Sequence, residues 1–254
     1  MSRRAASRPP RVLVVAGLDP SGGAGRAADL EALGAAGARG WAVAAALTAQ
    51  GPRGARGFEP VSEAMLLAQL EALLDGPERP RAVKTGMLGT GALARALAAR
   101  LGAAPLARVP LVVDPVLAAS SGAPLLETGG APPGEALAPL LARARLATPN
   151  LPELARLTGD DVSTDEAAVR AARRLPSRAV LVKGGHREGA PVDLLVEGRR
   201  VTRLAGRRRA GSARGTGCRL ASAIAAGLAL GQPLEASVRR AKALVERYLD
   251  AAAR

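Results

Sequence analysis

The stretch GSARGTGCRLASAIA, residues 211–225, joins a glycine-rich turn to the start of an apolar helix. The turn is the GTG of residues 215–217, and the helix after it places Leu220, Ile224 and Leu228 on one face. Unpaired N–H groups at a helix start attract anions, and glycines let a phosphate approach the backbone closely. The stretch therefore predicts a phosphate site, with an ordinary glycine turn before a core helix as the alternative.

The only cysteine of the chain, Cys218, falls at about the first position of this helix. The positive end of a helix lowers the pKa of a thiol, so we expect Cys218 to exist partly as thiolate and to accept a proton. A base beside an anion site is what transfer of a phosphoryl group to an alcohol requires. In the alternative interpretation, Cys218 is a small buried hydrophobic residue.

Short, continuous apolar runs alternate with helical segments along the chain, a pattern typical of strands that are covered on both faces. This alternation predicts an α/β fold with a mostly parallel sheet. The carboxyl ends of such strands meet at one edge, where ligands bind, so polar residues that follow strands are candidate site residues. The predicted strands are residues 12–16, 42–48, 82–88, 109–114, 145–147 and 180–182.

Two local patterns refine this prediction. Residues 51–59 are rich in Gly and Arg and are expected to form a loop, whereas residues 192–204 are expected to form a hairpin. Ser163 and Glu166 have the spacing of a capping box at a helix start.

The loop after the first strand, residues 17–25, contains a glycine pattern that mimics a dinucleotide-binding fingerprint. That interpretation needs an acidic residue about 20 positions later, at the end of the next strand. The next strand has no acidic residue and is followed by Gln50. We therefore exclude a Rossmann-type cofactor site.

Three further polar groups follow predicted strands. Asp114 can cap a helix, or it can bind Mg²⁺ directly or through water. Asn150 and Glu153 have the spacing of a second capping box. Lys183 would place a compact positive charge on the phosphates of a nucleotide, with a solvated strand-end lysine as the alternative.

Several motifs extend from the first strand to the last helices. They are AGLDPSGGAG (16–25), ALTAQ (46–50), VKTGMLG (83–89), VVDPVLAASSG (112–122), TPNLPE (148–153) and VKGGH (182–186). Together with the GTG turn and Cys218, they resemble the hydroxymethylpyrimidine (phosphate) kinases of thiamine biosynthesis, a branch of the ribokinase-like superfamily. The resemblance covers nearly the whole chain.

This resemblance implies a single kinase domain over residues 11–254. Its fold would be a ribokinase-like three-layer α/β/α sandwich with a mostly parallel central sheet and a small hairpin flap near residues 190–204. The implied reaction is ATP-dependent phosphorylation of 4-amino-5-hydroxymethyl-2-methylpyrimidine, of its monophosphate or of both, with Mg²⁺ present.

The resemblance also implies a role for each matching residue. Cys218 would take the proton of the hydroxymethyl group. Three of the other residues have ordinary alternatives: Gln50 as a strand-terminal amide, Asp29 as a helix-surface acid and Met87 as a core residue. The N–H groups of the GTG turn would steady the transferring phosphoryl group. The expected catalytic residues are Cys218, Gly215, Thr216 and Gly217; those binding the pyrimidine are Gln50, Asp29, Gly17, Met87 and Val116; those binding ATP are Lys183 and Asn150; and those linked to the metal are Glu153 and Asp114.

Some positions depart from the family pattern. Arg214 precedes the GTG turn where His is common, and Arg219 follows Cys218 where a small hydroxyl residue is usual. Leu18 stands where Ser is usual, and residues 204–213 form a short, Arg-rich approach to the turn. These departures put the nucleotide side of the site in question more than the fold.

Composition limits the classes of protein that remain. The 254 residues carry a net charge of +14, and Lys84, Lys183 and Lys242 are the only lysines. The arginines are dispersed without interleaved aromatic residues, which disfavours nucleic-acid binding and leaves a basic surface suited to anionic substrates. One cysteine excludes an intramolecular disulfide, and no apolar run is long enough for a membrane helix. We expect a cytoplasmic homodimer with residues 1–10 as a disordered basic arm.

Three other functions stay open. A pyridoxal kinase would present a similar hydroxymethyl group on a heteroaromatic ring. A non-catalytic relative would bind the pyrimidine as a sensor, without consuming ATP. A basic nucleic-acid-binding module would bind DNA or RNA with a steep dependence on salt.

Overall fold

The computed structural model describes residues 8–51, 53–185, 191–207 and 213–253. Most of the predicted disordered arm, His186 of the VKGGH motif and part of the Arg-rich approach lie outside the described residues. The end of the arm is ordered, contrary to the prediction, because the carbonyl of Pro10 accepts a hydrogen bond from the N–H of Arg39 (2.9 Å).

The described ranges contain eleven strands and eight helices, interspersed along the chain. The strands are β1 (Arg11–Leu18), β2 (Arg39–Gly51), β3 (Gly54–Pro60), β4 (Ala82–Thr85), β5 (Gly89–Thr90), β6 (Leu111–Val113), β7 (Leu126–Glu127), β8 (Leu146–Ala147), β9 (Val180–Val182), β10 (Val192–Glu197) and β11 (Arg200–Ala205). The helices are α1 (Gly25–Ala35), α2 (Glu63–Leu74), α3 (Gly91–Gly102), α4 (Pro133–Arg143), α5 (Leu151–Thr158), α6 (Asp165–Arg174), α7 (Thr216–Ala229) and α8 (Leu234–Ala252). No helix in these ranges is long and apolar enough to cross a membrane.

The central sheet has the strand order β11-β10-β9-β8-β6-β4-β1-β2-β3. Its inner strands, from β9 to β2, are parallel, and antiparallel strands lie at both edges. The register of β1 is set on both sides, since Val14 lies opposite Ala42 on β2 and Lys84 on β4. The mostly parallel sheet predicted from the alternation of strands and helices is confirmed.

The inner strands are mostly apolar because their two faces pack against different helix layers. Leu13 and Val15 of β1 face the layer of α2 to α6, whereas Val12 and Val14 face α1, α7 and α8. The chain is therefore a three-layer α/β/α sandwich with one hydrophobic core on each face of the sheet, as predicted.

Two hairpins differ in detail from the sequence prediction. Residues 54–60, within the expected loop, instead form β3, which pairs with the end of β2. The hairpin near residue 200 is present, but β10 pairs with β9, so it extends the central sheet and does not stand apart as a flap. The strand β3 was not predicted because its sequence, GARGFEP, lacks the alternation of apolar and polar residues that indicates a strand. Phe58 is its single large apolar residue.

The predicted capping box at the start of α6 is wrong by one residue. Thr164 is the cap, and its hydroxyl accepts a hydrogen bond from the N–H of Ala167 (3.1 Å). Ser163 instead donates its hydroxyl to Asp161 (2.8 Å), so it belongs to the preceding turn.

Helices α7 and α8 approach closely at a glycine. A Cβ atom on Gly227 would lie 2.5 Å from the hydroxyl oxygen of Ser237 and 2.7 Å from its Cβ. The hydroxyl of Ser237 in turn donates to the carbonyl of Pro233 (3.0 Å), which holds it in this position. Gly227 thus sets the distance between the helix that begins at the GTG turn and the last helix.

We expect Gly227→Ala to lower the free energy of unfolding by about 1–3 kcal/mol, because an added methyl group forces the two helices apart. Gly34→Ala is the matched control, since Gly34 lies on α1 with no atom within 4 Å of an added Cβ. That control should gain about 0.5–1 kcal/mol from helix propensity. Urea unfolding of both variants is the measurement, and equal effects would contradict this account of the α7–α8 contact.

Candidate active site

A cavity of about 570 Å³ lies at the carboxyl edge of the parallel strands and is closed on one side by the start of α7. Strand ends and the first turn of one helix deliver its side chains from positions far apart in the sequence. Twelve of the thirteen predicted site residues line it. They are Gly17, Gln50, Met87, Asp114, Val116, Asn150, Glu153, Lys183, Gly215, Thr216, Gly217 and Cys218.

Asp29 is the predicted site residue that does not line the cavity. It lies on α1 with no exposed surface and pairs with the ammonium group of Lys84 (2.7 Å). The same carboxylate oxygen accepts a hydrogen bond from the hydroxyl of Ser222 on α7 (2.7 Å). Both earlier interpretations of Asp29, as a pocket residue and as a helix-surface acid, are therefore corrected: it is the buried counter-ion of a cavity lysine.

Lys84 lines the cavity and was missed as a candidate by sequence reasoning. Burial alone would lower its pKa, but Asp29, followed by Cys218 and Asp114, raises it above the ordinary lysine value. The ammonium group is therefore kept charged without solvent around it. Its signal in the sequence was a lysine, one of three in the chain, inside an otherwise apolar strand.

A second lysine, Lys183, follows β9 and joins the acidic groups of the cavity. Its ammonium group donates to Asp114 (2.9 Å) and lies 3.7 Å from Glu153. Thr148 also donates to the same oxygen of Asp114 (3.1 Å). Lys183 is consequently a half-buried, paired cation, not the solvated strand-end lysine of the alternative interpretation.

Asn150 and Glu153 form the predicted capping box at the start of α5. The side chain of Asn150 accepts from the N–H of Glu153 (2.8 Å), and Glu153 accepts from the N–H of Asn150 (2.8 Å). The capping role is therefore confirmed, and it fixes Glu153 in the cavity wall beside Lys183.

The two carboxylates differ in how readily they ionise. Burial raises the pKa of Asp114, but Lys183 and Lys84 outweigh burial and hold it below the ordinary value. Burial keeps the pKa of Glu153 above the ordinary value despite Lys183.

This donor set fits Mg²⁺ that is shared with phosphates. Mg²⁺ is usually bound in proteins by one or two carboxylates together with water and phosphate oxygens. Asp114 and Glu153 supply two such carboxylates on one wall of the cavity. A closed cage of three or more His, Cys, Asp or Glu groups does not occur among the described residues.

The start of α7 faces these groups through its glycines. Gly215 adopts a left-handed conformation (φ 72°), and a Cβ atom there would lie 2.3 Å from the carbonyl oxygen of Gly23. A Cβ on Gly217 would lie 3.2 Å from the ammonium nitrogen of Lys183 and 3.8 Å from Asp114. The N-cap of α7 is Gly215, which has no side chain that could cap the helix, so the first N–H groups remain available to an anion.

Cys218 is half-buried and lines the cavity, but its predicted ionisation is wrong. Burial raises the pKa of the Cys218 thiol to about 11, with Asp29 and Asp114 acting in the same direction. Lys84 lowers the pKa, as does the N–H of Gly25, without overcoming burial. The thiol is therefore protonated at neutral pH in the absence of ligands, because loss of solvent outweighs the helix dipole.

The other end of the cavity is formed by the loop after β1 and the end of β2. Gln50 lines the cavity, and no hydrogen-bond partner for its side chain occurs in the described ranges. Met87 packs with Ala46 and Leu125, as a core residue would, and it also lines the cavity, where it is accessible to a ligand. A Cβ on Gly17 would lie 2.9 Å from the sulfur of Met87, which explains the glycine.

Arg214, a departure from the family pattern, ties this loop to the GTG turn. Its guanidinium group donates to Asp19 (2.9 Å), to Ser21 (3.0 Å) and to the carbonyl of Gly51 (2.9 Å). Asp19 lines the cavity, and Gly51 directly follows Gln50. The planar side chain of Arg214 thus joins the GTG turn to the loop after β1 and to the end of β2, the two segments that form the other end of the cavity.

Arg219, the second departure from the family pattern, also contacts both the loop after β1 and the residue that precedes the GTG turn. It is buried, and it donates to the carbonyls of Gly23 (3.2 Å) and Arg214 (3.3 Å) and to Glu31 (2.6 Å). Its guanidinium carbon lies 3.8 Å from the centre of the Tyr248 ring, which connects it to α8. The two unusual arginines therefore act together on the geometry of the site.

A parallel α/β sandwich whose glycine-led helix start faces a small-molecule cavity with two lysines has the architecture of the ribokinase-like kinases. A sequence model of the family described as Phosphomethylpyrimidine kinase matches residues 19–254. The chain belongs to the phosphomethylpyrimidine kinase family.

Two relatives illustrate the match. The thiamine biosynthesis bifunctional protein ThiED of Geobacter sulfurreducens is 44% identical over 260 residues, which cover 100% of this chain and 51% of that protein. The hydroxymethylpyrimidine/phosphomethylpyrimidine kinase of Rhizobium meliloti is 40% identical over 248 residues, 95% of this chain and 91% of that protein. The chain thus spans about half the length of the bifunctional relative.

Two solved structures resemble this chain over nearly its whole length. Phosphomethylpyrimidine kinase from Clostridium difficile 630 has a TM-score of 0.77 and 32% identity, with 96% of this chain and 100% of that chain covered. Pyridoxal kinase from Staphylococcus aureus, in complex with AMP-PCP and pyridoxal, has a TM-score of 0.82 and 29% identity, with 95% and 88% covered.

We expect Lys84→Met to lower the free energy of unfolding by about 3–5 kcal/mol, because it leaves the buried carboxylate of Asp29 without a counter-ion. The double variant Lys84→Met/Asp29→Asn removes both charges and should recover most of that stability. Its kinase turnover should stay low, because the positive charge beside Cys218 is still missing. Urea unfolding and turnover separate the two roles, and a double variant with full turnover would show that the charge serves folding alone.

We expect Arg214→Lys to lower kcat/KM for the alcohol substrate about tenfold, the equivalent of one charge-assisted hydrogen bond. Lysine cannot reach the three acceptors that the guanidinium group joins. The change should appear mainly in the KM of the alcohol, with the KM of ATP within about twofold. Arg56→Lys, an exposed position on β3, is the control. An equal rise in the KM of the alcohol and in the KM of ATP would contradict the view that Arg214 acts on the end of the cavity formed by the loop after β1 and the end of β2.

Proposed function

We propose that the protein transfers the γ-phosphoryl group of ATP to 4-amino-5-hydroxymethyl-2-methylpyrimidine, to its monophosphate, or to both. The observation that carries this proposal is that Cys218, Gln50 and Lys183 line one cavity, although they come from three distant parts of the chain. In this proposal Lys183 contacts the phosphates, Cys218 accepts the proton and Gln50 contacts the ring, and all three act on substrates bound in the same cavity.

Cys218 is the proposed general base. The hydroxymethyl oxygen forms a bond to the γ-phosphorus while the bond from that phosphorus to the bridging oxygen of ADP breaks. The hydroxyl proton goes to the sulfur of Cys218, and the charge of Lys84 favours the thiolate that accepts it. Phosphoryl transfer needs little bond formation early in the step, so positioning and charge stabilisation contribute most.

The phosphate end of the site is proposed to hold the transferring group by charge and by backbone donors. The N–H groups of Gly215, Thr216 and Gly217 face the γ-phosphate, and Lys183 and Asn150 contact the nucleotide. Mg²⁺, when bound through Asp114 and Glu153, neutralises negative charge on the nucleotide phosphates. The two carboxylates also keep Lys183 in place, as their distances indicate.

The alcohol end is proposed to bind the ring. The free amide of Gln50 can donate to and accept from a pyrimidine edge, while Met87 and Val116 contact its faces. Gly17 leaves room for the ring beside Met87. Asp29 does not contact the ring in this proposal; it acts indirectly, by holding the ammonium group of Lys84 in place.

The test is kinase turnover with a panel of alcohols, measured for the wild type and for Cys218→Ala. We expect the pyrimidine alcohol or its phosphate to be the best substrate, and the variant to lose ~10²–10⁴ in turnover with ATP binding nearly unchanged. A sugar alcohol that outperforms the pyrimidines would overturn the substrate, and near-normal turnover of the variant would overturn the base.

The pH dependence of kcat/KM gives a second prediction. The pKa of the Cys218 thiol is about 11, so at lower pH the fraction present as thiolate increases about tenfold for each unit by which the pH is raised. If the thiolate is the base, kcat/KM should therefore rise from pH 7 to pH 9. Cys218→Asp supplies a carboxylate that is already ionised in this range and should give a flatter profile. A rise that persists unchanged in this variant would assign the titration to another group.

A pyridoxal kinase is the second candidate function. The similarity to the pyridoxal-bound kinase of Staphylococcus aureus favours it, and pyridoxal carries a hydroxymethyl group on a heteroaromatic ring. Pyridoxal therefore belongs in the substrate panel, and a higher kcat/KM for pyridoxal than for the pyrimidine alcohol would select this function. We further propose a single kinase domain over residues 11–254 that acts as a cytoplasmic homodimer.

A further inference from the structure

A second cavity, of about 240 Å³, lies at the opposite edge of the central sheet, where β6 and β8 begin. It has room for roughly eight water molecules at ~30 Å³ each. None of its lining residues is shared with the active site. We call it the arginine cavity, because its walls are Ala107, Arg108, Val109, Pro110, Arg143, Arg145 and Arg178.

The fold brings these arginines together from separate segments. Arg108 lies three residues before β6, Arg145 directly before β8 and Arg178 two residues before β9. These strands are parallel neighbours, so their amino ends place the three side chains side by side. Backbone hydrogen bonds fix two of the positions: the N–H of Arg145 donates to Leu111 (2.9 Å), and that of Arg178 donates to Ala144 (3.1 Å).

The positive charges of the arginine cavity are mostly uncompensated. Arg145 pairs with Glu197 (3.1 Å), and Arg143 donates to the backbone carbonyls of the loop that precedes β6. Within the described ranges, the side chains of Arg108 and Arg178 have no hydrogen bond or ion pair. Burial, and then the nearby charge of Arg178, lowers the pKa of Arg143, so these two guanidinium groups repel each other across the cavity that both line.

Like charges held in a concave site raise the energy of the folded protein unless an anion joins them. The guanidinium fork matches the oxygens of phosphate and can bind them in pairs. Several such forks around a space of this size suit an anion that is small and multiply charged. We propose that the arginine cavity binds a small phosphate compound of diphosphate type, at a site separate from catalysis.

The test measures binding of inorganic pyrophosphate to the full chain by equilibrium dialysis at constant ionic strength. Saturating AMP-PCP with Mg²⁺ occupies the phosphate end of the active site and leaves the second site to be counted. The wild type should bind about one pyrophosphate per chain. Arg108→Gln/Arg178→Gln should weaken that binding at least tenfold, with kinase turnover unchanged.

The matched control is Arg170→Gln/Arg240→Gln, which removes the same charge from exposed positions on α6 and α8. Pyrophosphate affinity in this control should stay within about twofold of the wild type. An equal loss in both double variants would reduce the effect to net charge and overturn the proposal, as would full binding by the cavity variant. Citrate that binds as tightly as pyrophosphate would overturn the assignment to phosphate.

Thermal unfolding separates a binding role from a structural one. Without pyrophosphate, the cavity variant should have the Tm of the wild type or a higher one, because a repulsion has been removed. Pyrophosphate should raise the Tm of the wild type and leave that of the cavity variant unchanged, since only a ligand that binds the folded state stabilises it. A lower Tm of the ligand-free variant would identify the arginines as structural and overturn the site.

Discussion

The structure of the active site depends on two lysine ammonium groups that are kept charged with almost no solvent around them. Lys84 is held by Asp29, and Lys183 by Asp114 and Glu153. A buried ammonium group persists only with a close carboxylate, since its transfer out of water is otherwise too costly. The third lysine, Lys242, is paired as well, with Asp193, while arginine supplies every other basic side chain. Lysine is thus retained in this arginine-rich chain where a compact cation meets a buried acid.

A second set of contacts adapts the family scaffold to this sequence. Arg214 and Arg219 stand where the resemblance implies a histidine and a small hydroxyl residue. The carbonyl of Arg214 accepts from Arg219, and both side chains reach the loop of residues 19–23. The two arginines therefore connect the GTG turn to this loop through side-chain hydrogen bonds, and the glycines of the turn still line the cavity.

The sequence predicted the membership of the site better than its electrostatics. Gln50, Asp114 and Lys183 follow apolar strands, and parallel strands necessarily bring such residues to one edge of the sheet. Asp29 was misplaced because it lies on a helix, where one turn decides whether a side chain faces the cavity or the core. Lys84 was missed because it interrupts a strand pattern that otherwise indicates core packing. The ionisation of Cys218 was predicted from its helix position alone, and burial reversed the result.

The sequence by itself determined the α/β class, the general succession of strands and helices, the cap of α5 and most of the residues that meet at the active edge. All of these follow from local periodicity and from residues a few positions apart. Only the tertiary structure decided that β3 and the β10–β11 hairpin extend the sheet, that Asp29 serves Lys84, and that four arginines converge at the opposite edge. The physical reason is that desolvation and ion pairing depend on every neighbour in space, and those neighbours come from segments whose separation along the chain carries no local pattern.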